Sequence, residues 1–427
     1  MNDFQSPEYR RSRAAYMTQC TVYYFVTLLV TDAFLAKLLG SIGIKDSLIG
    51  IISSFISMSF VIQLLAIFIV RLEISTKKLV ILSDTIGIFF FMLLYLIPFI
   101  PISAQLKTVL VILSVVCAYA GNYLISSICY KWGNSFVDPT KRASYSATQE
   151  MISLVSGMVF TAVIGYVIDR FEGLGNLNGA FLFIAASLLI LNICNISCYL
   201  LIGKERESDK AAEDLPITVV LKDIMANRDF RNLVILTILW NMAMYFTVGF
   251  MGTFKTNDLM MSVFSVQVIN MAANFARMLI SKPMGRYSDK HSYAKGFKLG
   301  LYMAAAAFFI NMFTTRSTWF LVVIYSILYS CCFAGTNQNS YNMTYSYVDS
   351  RYITQAMAIK NSIGGICGFG ASILAGKLLG YIQANDNRIF GVQIYAQQLL
   401  SAVSFVLVFI AIIFIKKVIE KQKVMIQ

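Results

Sequence analysis

Residues 179–202, GAFLFIAASLLILNICNISCYLLI, contain no charged side chain and no proline. As an α-helix with a rise of 1.5 Å per residue, this run is longer than the roughly 30 Å hydrocarbon core of a bilayer. The whole chain of 427 residues is 58% hydrophobic and only 13% charged, against about 25% charged residues in an average soluble domain. A soluble fold of this length could not bury so much apolar surface. The sequence therefore predicts an all-α membrane protein.

Eleven further apolar runs resemble this one in length. Together they predict twelve membrane-spanning helices, numbered here in chain order: 16–39, 47–70, 79–100, 108–130, 144–168, 179–202, 232–254, 262–281, 297–314, 318–342, 355–380 and 392–415. The longest polar stretch follows helix 6, and within it Asp214 and Pro216 indicate the start of a short surface helix. We therefore expect an N-terminal six-helix bundle over 1–202, a cytoplasmic linker over 203–231 and a C-terminal six-helix bundle over 232–427.

The net charge of +13 is distributed unevenly between the two sides of these spans. Of the 35 Lys and Arg residues, 25 fall on the side of the N-terminus, six on the other side and four in or at the ends of helices. This positive-inside pattern predicts a multi-pass protein of the cell (inner or plasma) membrane with both termini cytoplasmic, and it argues against nucleic acid as a partner. Residues 1–13 are polar and include Arg10, Arg11 and Arg13. The apolar run that follows them lacks a small-residue cleavage site, so we expect a retained first helix.

The two halves share a sequence register. Phe136-Val137-Asp138 before helix 5 recurs 211 residues later as Tyr347-Val348-Asp349 before helix 11. At the same offset, four small residues on one face of each helix correspond, and small residues let helices approach closely. These positions are Ser153, Gly157, Thr161 and Gly165 in the first half and Gly364, Gly368, Ser372 and Gly376 in the second. The agreement predicts an internal repeat, and hence two pseudo-symmetric bundles.

The segment between helices 8 and 9, GRYSDKHSYAK at 285–295, resembles the loop signature G-x-x-x-D-[RK]-x-G-x-[RK] of the major facilitator superfamily (MFS), with Ser292 at the second glycine. Its first-half counterpart, RLEISTKK at 71–78, lacks the glycine and has glutamate for aspartate, whereas 132–142 resembles the loop after helix 4 in bacterial members. The resemblance in layout covers nearly the whole chain. It implies the MFS fold and transport by alternating access, without a cofactor.

A carboxylate is stabilised beside the N-terminus of a neighbouring helix. We therefore expect Asp289 near Arg142 at the start of helix 5, and Glu73 near Arg351 at the start of helix 11. The alternative is a solvated turn that only follows the positive-inside rule. The residues of the expected cytoplasmic gate are Glu73, Arg142, Gly285, Asp289, Lys290 and Arg351.

The resemblance implies that helices 1, 4, 7 and 10 line a central cavity, flanked by parts of 2, 5, 8 and 11. Amide and tyrosine side chains recur at helical spacing on four of these helices, and they suit a neutral polar solute. On helix 8, Arg277 could also bind a carboxylate or phosphate. The alternative for each residue is hydrogen bonding between helices. The candidate substrate-binding residues are Tyr119, Asn122, Tyr123, Asn241, Tyr245, Asn270, Asn274, Arg277, Tyr325, Tyr329 and Asn337.

Three acidic residues fall within the predicted spans: Asp32, Asp84 and Glu150. Charged groups at such depth usually face a water-filled cavity, and a carboxylate removed from water can exchange a proton near neutral pH. Asp32, about two thirds of the way across helix 1, is our first candidate for proton coupling, and Glu150 is the second. Transport without coupling stays open.

The sequence contains no G-x-x-x-x-G-K-[ST] phosphate-binding loop, which argues against direct use of ATP. We find no nucleophile, acid–base pair or metal-ligand spacing, and eight scattered cysteines, so we expect neither an enzyme nor a metal or other cofactor. The favoured function is a monomeric secondary transporter whose partners are the lipid bilayer, a small polar solute and, in symport, protons. The alternatives are a multidrug or metabolite exporter, a transport-fold sensor or scramblase, and a polytopic membrane enzyme. The first is disfavoured because Ser156-Gly157-Met158 lacks the proline of the exporter signature G-x-x-x-G-P.

Overall fold

The computed structural model describes residues 6–65, 75–137, 142–203, 217–348, 353–385, 387–389 and 392–421, and nearly all of them are helical. Helices 1 to 6 are Pro7–Leu29 with Asp32–Ser41, Asp46–Ser53 with Phe55–Ser59, Thr76–Leu96, Ala104–Asn134, Arg142–Gly173 and Leu177–Leu201. Helices 7 to 12 are Arg228–Thr247, Val263–His291, Tyr293–Asn311, Phe320–Tyr347, Ile353–Ala384 and Ala396–Lys417. Every predicted span therefore contains a helix. Shorter pieces are a helix at Ile217–Ala226 and an antiparallel pair of two-residue strands, Arg388–Ile389 and Val392–Gln393.

Ten of the described helices are long and apolar enough to cross a membrane, and helix 1 is an eleventh if its two parts form one bent span. Helix 9 is the predicted span outside this set. Its 19 residues include Lys295 and Lys298 close to its start, and these lysines lower its mean hydropathy. Such residues can extend their ammonium groups toward the membrane surface while the helix continues.

Helix 1 is interrupted in the middle of its apolar run. The first part ends at Leu29, the second begins at Asp32, and their axes are inclined by 41°. Asp32 has a φ of 50°, in the left-handed region that side-chain-bearing residues seldom adopt and that Asp tolerates better than most. A helix break inside an apolar span exposes backbone carbonyl groups that lipid cannot satisfy. The surrounding structure must therefore supply donors.

Those donors come from the break itself and from helix 3. The backbone N–H of Val30 and the hydroxyl of Thr31 both donate to the carbonyl oxygen of Thr27, at 3.3 and 3.0 Å. The hydroxyl of Tyr95, a fully buried residue near the end of helix 3, donates to the carbonyl oxygen of Leu29. The interruption of helix 1 is thus a hydrogen-bonded element of the fold.

The chain divides into two compact units by its internal contacts. The first unit comprises Met1–Ile44 and Ile62–Asp214, and the second comprises Lys45–Val61 and Leu215–Gln427. The first unit contains helices 1 and 3 to 6, and the second contains helices 7 to 12. Most of helix 2 packs with the second unit, although it lies in the N-terminal half of the sequence.

One packing arrangement occurs in both units. In the first, Gly121 of helix 4 lies against the backbone of Gly87 in helix 3, with 3.1 Å between the Gly87 nitrogen and the position of a Cβ built on Gly121. In the second, Gly335 of helix 10 lies in the same way against Gly300 of helix 9, at 3.0 Å. Only glycine permits backbones to approach this closely. The pairs of helices 3 and 4 and of helices 9 and 10 therefore share a packing mode, as expected of an internal repeat.

The small-residue positions of the predicted repeat have corresponding neighbours. Gly157 of helix 5 packs against the ring of Tyr24 on helix 1, and Gly368 of helix 11 packs against the ring of Tyr245 on helix 7. Ser153 adds a hydroxyl contact of 3.1 Å to Thr21 on helix 1. Helix 5 thus meets helix 1 as helix 11 meets helix 7.

Within the second unit, helix 2 packs tightly against helix 11 and against the short helical segment Val248–Phe250 that follows helix 7. The ring of Phe250 lies over Gly50, and a Cβ built on Gly249 would be 2.5 Å from the carbonyl oxygen of Gly50. Toward helix 11, the Ser57 hydroxyl donates to the Gly365 carbonyl oxygen at 3.2 Å. At the start of helix 2, the side-chain amides of two residues donate to the Asp46 carboxylate: Asn257 at 2.9 Å and Gln383 at 3.3 Å.

The predicted loop between helices 8 and 9 is shorter in the structure than in the sequence prediction. Helix 8 continues through Pro283 and Gly285 to His291, and helix 9 starts at Tyr293. The only residue between them is Ser292, whose hydroxyl accepts from the backbone N–H of Lys295 at 3.2 Å. A single N-cap residue therefore makes the turn, and most of the signature segment is helical.

Candidate functional site

The predicted substrate-binding residues of helix 4 lie largely at its contact with helix 3. Tyr119 is buried and meets the ring of Phe91 edge to face, with 5.1 Å between centroids. Asn122 is also buried, its side chain lies over Gly87, and neither amide atom has a hydrogen-bond partner among the described residues. Tyr123 is only partly buried, 6.2 Å from the Tyr119 ring. Of the three, Tyr123 is the best placed for a solute.

On helix 7, the predicted stripe faces helix 11. Asn241 is partly buried, and its side-chain nitrogen donates to the Thr237 carbonyl oxygen at 2.9 Å. Both Asn241 and Tyr245 lie against the glycine face formed by Gly364 and Gly368. The close fit of a tyrosine ring on glycine shows that this stripe serves helix packing, whatever further role Asn241 has.

The predicted stripe on helix 8 is turned toward helix 10. The Ser330 hydroxyl donates to the side-chain oxygen of Asn274 at 3.3 Å, and the Arg277 guanidinium lies 5.6 Å from the centre of the Phe333 ring. Asn270 contacts Gln267 within helix 8, at 3.4 Å between the amide nitrogen and oxygen. A guanidinium over an aromatic face is a cation–π contact, which lowers the cost of placing the charge away from bulk water.

Helix 10 continues this group with an aromatic series. Tyr325 and Tyr329 are stacked with ring centroids 5.6 Å apart, and Tyr329 meets Phe333 edge to face at 5.1 Å. Trp240 of helix 7 meets Phe333 edge to face, with 6.3 Å between ring centroids. Asn337, one turn further along, is exposed. The sequence analysis missed Phe333 and Trp240, because a phenylalanine and a tryptophan in apolar runs carry no polar signal.

The two proton-coupling candidates differ in their surroundings. Asp32 is half-buried at the break of helix 1, where its strained backbone fixes it as the first residue of Asp32–Ser41. Glu150 is exposed near the start of helix 5. Asp32 therefore combines a position inside the span with an irregular backbone, a pairing that marks functional sites.

The third acid, Asp84, was left without a role by the sequence analysis, yet it lies at the centre of a buried polar network. Its Oδ2 accepts from the side-chain amide of Asn195 at 2.5 Å and from the hydroxyl of Tyr199 at 2.9 Å, both on helix 6. Gln19 of helix 1 donates in turn to Asn195 Oδ1 at 3.0 Å and to the Tyr199 oxygen at 2.8 Å. The sequence indicates this network only through the polar residues at 192, 195 and 199, which lie at helical spacing in the otherwise apolar helix 6.

A buried lysine in the second unit was likewise missed. Lys360 of helix 11 is fully buried, and its ammonium group donates to three oxygen atoms of helix 10. These are the Ser340 carbonyl at 3.0 Å, the Ser340 hydroxyl at 2.9 Å and the Thr344 hydroxyl at 3.1 Å. Three acceptors satisfy the three N–H donors, so Lys360 joins the adjoining ends of helices 10 and 11.

The expected cytoplasmic gate falls only partly within the described residues. Glu73 and Arg351 lie outside them, as does the side chain of Arg142, whose backbone begins helix 5. Gly285, Asp289 and Lys290 are exposed in the last turns of helix 8. The gate stays a prediction for these six positions.

No group of three or more His, Cys, Asp or Glu side chains with the geometry of a metal site occurs among the described residues. All eight cysteines are free thiols. The polar side chains described above are amides, hydroxyls and single charges, which can bind a solute or a proton by hydrogen bonding.

The sequence from residue 15 to residue 372 matches the family model of the Major Facilitator Superfamily. This match spans most of the chain, and the chain belongs to that family. It is a multi-pass membrane transporter and not an enzyme. A search among curated protein sequences finds no match.

Solved structures with the same fold include three transporters of small polar molecules. A point mutant of the nucleoside transporter NupG is 15% identical, with a TM-score of 0.71 over 94% of this chain and 99% of that one. A D-xylose–proton symporter is 12% identical, with a TM-score of 0.68 over 95% and 97%. A POT family transporter in complex with 5-aminolevulinic acid is 12% identical, with a TM-score of 0.65 over 96% of both chains. At these identities the comparison establishes the fold, including the two pseudo-symmetric six-helix bundles.

Proposed function

We propose that this chain is a proton-coupled symporter that moves a small polar solute across the plasma membrane by alternating access. In this proposal both termini are cytoplasmic, and the moving bodies are the bundles 1–202 and 232–427, joined by the linker 203–231. In the described structure, Lys45–Val61 of the first bundle packs with the second. The observation that carries the proposal is the interruption of helix 1 at Asp32. Transporters bind substrates and coupling ions at such breaks, where backbone groups leave the helical pattern.

Asp32 is suited to proton binding by its position. It lies in the apolar interior of helix 1, and a carboxylate there changes its surroundings when the helix on either side of the break tilts. Protonation removes the charge before such a step, so the neutral residue can pass through a less hydrated state. Glu150, exposed near the start of helix 5, would then exchange protons with water.

The solute is proposed to be small, polar and neutral overall. Amides and tyrosines on helices 4, 7, 8 and 10 offer donors and acceptors beside aromatic surface, a composition typical of sites for such molecules. The structures with the same fold include transporters of a nucleoside and of D-xylose. The partly buried candidates on these helices are Tyr123, Asn241, Asn270, Asn274, Arg277 and Tyr329.

The test is uptake into proteoliposomes with an imposed proton gradient. Radiolabelled nucleosides, sugars, amino acids and short peptides are screened first, and we expect accumulation of one class that collapses when a protonophore is added. Asp32→Asn is expected to abolish accumulation while solute exchange at equal pH continues, because exchange needs no net proton movement. Glu172→Gln is the matched control, since Glu172 is exposed and pairs with Lys37 at the outer end of the first unit.

Undiminished proton-driven accumulation by Asp32→Asn would remove Asp32 from this role. Accumulation of no class, together with lipid flip-flop in the same vesicles, would indicate a scramblase. Movement of the solute in the direction opposite to the flow of protons would indicate a proton-coupled exporter.

A further inference from the structure

Among the described residues, the titratable groups that face the Asp84 carboxylate are all tyrosines and cysteines. The side chain is buried, and the titratable side chains that face it come from three neighbouring helices. They are Cys20 and Tyr23 on helix 1, Cys129 on helix 4 and Tyr199 on helix 6. None of these groups carries a positive charge in any protonation state. A carboxylate buried without a cation has to be stabilised by hydrogen bonds or by a proton.

The hydrogen bonds around Asp84 all point toward it. Gln19 uses its side-chain N–H groups on Asn195 and Tyr199, and each of these then directs its own donor to Asp84 Oδ2. A network with this polarity stabilises a negative charge at its end. If Asp84 bound a proton at the same oxygen, one of the two donors would lose its acceptor and would have to turn away.

The network also connects Asp84 to the interruption of helix 1. Gln19 belongs to the first part of helix 1, so its bonds hold that part against helix 6. Tyr95, which donates to the Leu29 carbonyl oxygen at the break, lies eleven residues after Asp84 on helix 3. Eleven residues are about three helical turns, which places both side chains on one face of helix 3. One face of helix 3 is therefore bonded to helix 1 at two positions: directly through Tyr95 to Leu29, and through Asp84 and helix 6 to Gln19.

We propose that Asp84 is a second proton-binding site, and that its protonation state sets how firmly helix 1 is held against helices 3 and 6. With Asp84 ionised, the converging hydrogen bonds lock the first part of helix 1. With Asp84 protonated, the carboxyl group loses its negative charge and accepts the hydrogen bonds of Asn195 and Tyr199 more weakly, so the contact through Gln19 loosens. The proposal deepens the transport function proposed above, and it rests on that function only for its consequence in the transport cycle.

Trp132 provides a reporter of this network. Its ring is fully buried and stacks on Tyr199, with 6.1 Å between centroids and 16° between planes. The chain has three tryptophans, so the variant Trp240→Phe/Trp319→Phe leaves Trp132 as the only source of tryptophan fluorescence. The full-length purified protein is titrated from about pH 5 to about pH 9, a range that covers buried carboxyl groups. Protons are the only ligand required.

We expect a reversible fluorescence transition that is lost when Asp84→Asn is added, because asparagine keeps the shape and has no proton to exchange. Glu172→Gln is the matched control and should leave the transition unchanged. Tyr199→Phe keeps the ring under Trp132 and removes one donor, so the transition should move to higher pH. The infrared difference spectrum on acidification contains bands from all protonating carboxyl groups, and Asp84→Asn should lose the one component that follows the fluorescence transition.

A transition that persists in Asp84→Asn, or its absence from the parent protein, would overturn the proposal. If Asp84→Asn does not fold, an unshifted midpoint in Tyr199→Phe overturns it equally. Failure of solute uptake would count against the proposed transport function and leave this titration unaffected. The two proposals can therefore fail separately.

Discussion

Gly249, in the short segment Val248–Phe250 after helix 7, lies against the backbone of Gly50 in helix 2. A Cβ added at Gly249 would be 2.5 Å from the carbonyl oxygen of Gly50, whereas ordinary van der Waals contact begins at 3.4 Å. Since the obstacle is a backbone atom, the two helices must separate by about 1 Å to accept Gly249→Ala. Overpacking of this kind costs about 1–3 kcal/mol. This free energy corresponds to a roughly 5- to 150-fold larger population in which the contact is open.

The assay is thiol labelling of Ser54→Cys in a protein whose eight native cysteines are replaced by serine. Ser54 is fully buried, and its hydroxyl also lies 2.5 Å from the added Cβ. We expect Gly249→Ala to raise the maleimide labelling rate by the factor above, and to lower the unfolding temperature. Gly370→Ala on helix 11 is the control, because no atom lies within 4 Å of its Cβ position. Equal labelling rates in the two variants would refute the reasoning that glycine is required by close backbone contact here.

Two further predictions concern the first unit. Tyr95→Phe removes the donor to the Leu29 carbonyl oxygen, and leaving a buried acceptor unsatisfied should destabilise the protein by about 1–3 kcal/mol. The unfolding temperature should fall in Tyr95→Phe and not in the control Tyr381→Phe, because Tyr381 is exposed. Equal unfolding temperatures in the two variants would contradict this role of Tyr95. Gly121→Ala places a Cβ 2.8 Å from a helix 3 carbonyl oxygen and should lower the free energy of unfolding by about 1–3 kcal/mol. Gly285→Ala is the control and should not lower it, because no atom lies within 4 Å of its Cβ position. If thermal unfolding shows the two variants to be equally stable, helices 3 and 4 can separate without cost.

The sequence predicts the number and order of the helices because a membrane span is set by length and hydropathy, which can be counted along the chain. The repeat is also predictable, since small residues at fixed spacing reveal contact faces. The turn after helix 8 is not predictable in this way. A proline and a glycine at 283 and 285 are typical of loops, yet helix 8 continues to His291, and the N-cap Ser292 alone makes the turn to the next helix.

The roles of individual polar residues are harder to predict, because the same amide can face a solute or a neighbouring helix. Asn122 and Tyr245 follow the expected spacing, but the structure packs both against glycines. Asp84 has no distinctive local sequence, and its hydrogen-bond partners Asn195 and Tyr199 are about 110 residues away on helix 6. Only the packing of the helices shows that these groups meet.

The association of Lys45–Val61 with the second unit has a consequence for biogenesis. Helix 2 leaves the ribosome long before helices 7 and 11, so its surface around Gly50 and Ser57 stays without these partners in the bilayer until the later half has been synthesised. During this interval, lipid or a membrane chaperone must cover the surface of helix 2 that Phe250 and Gly365 contact in the finished protein. Completion of the second half is thus the step at which the first half acquires its last contacts.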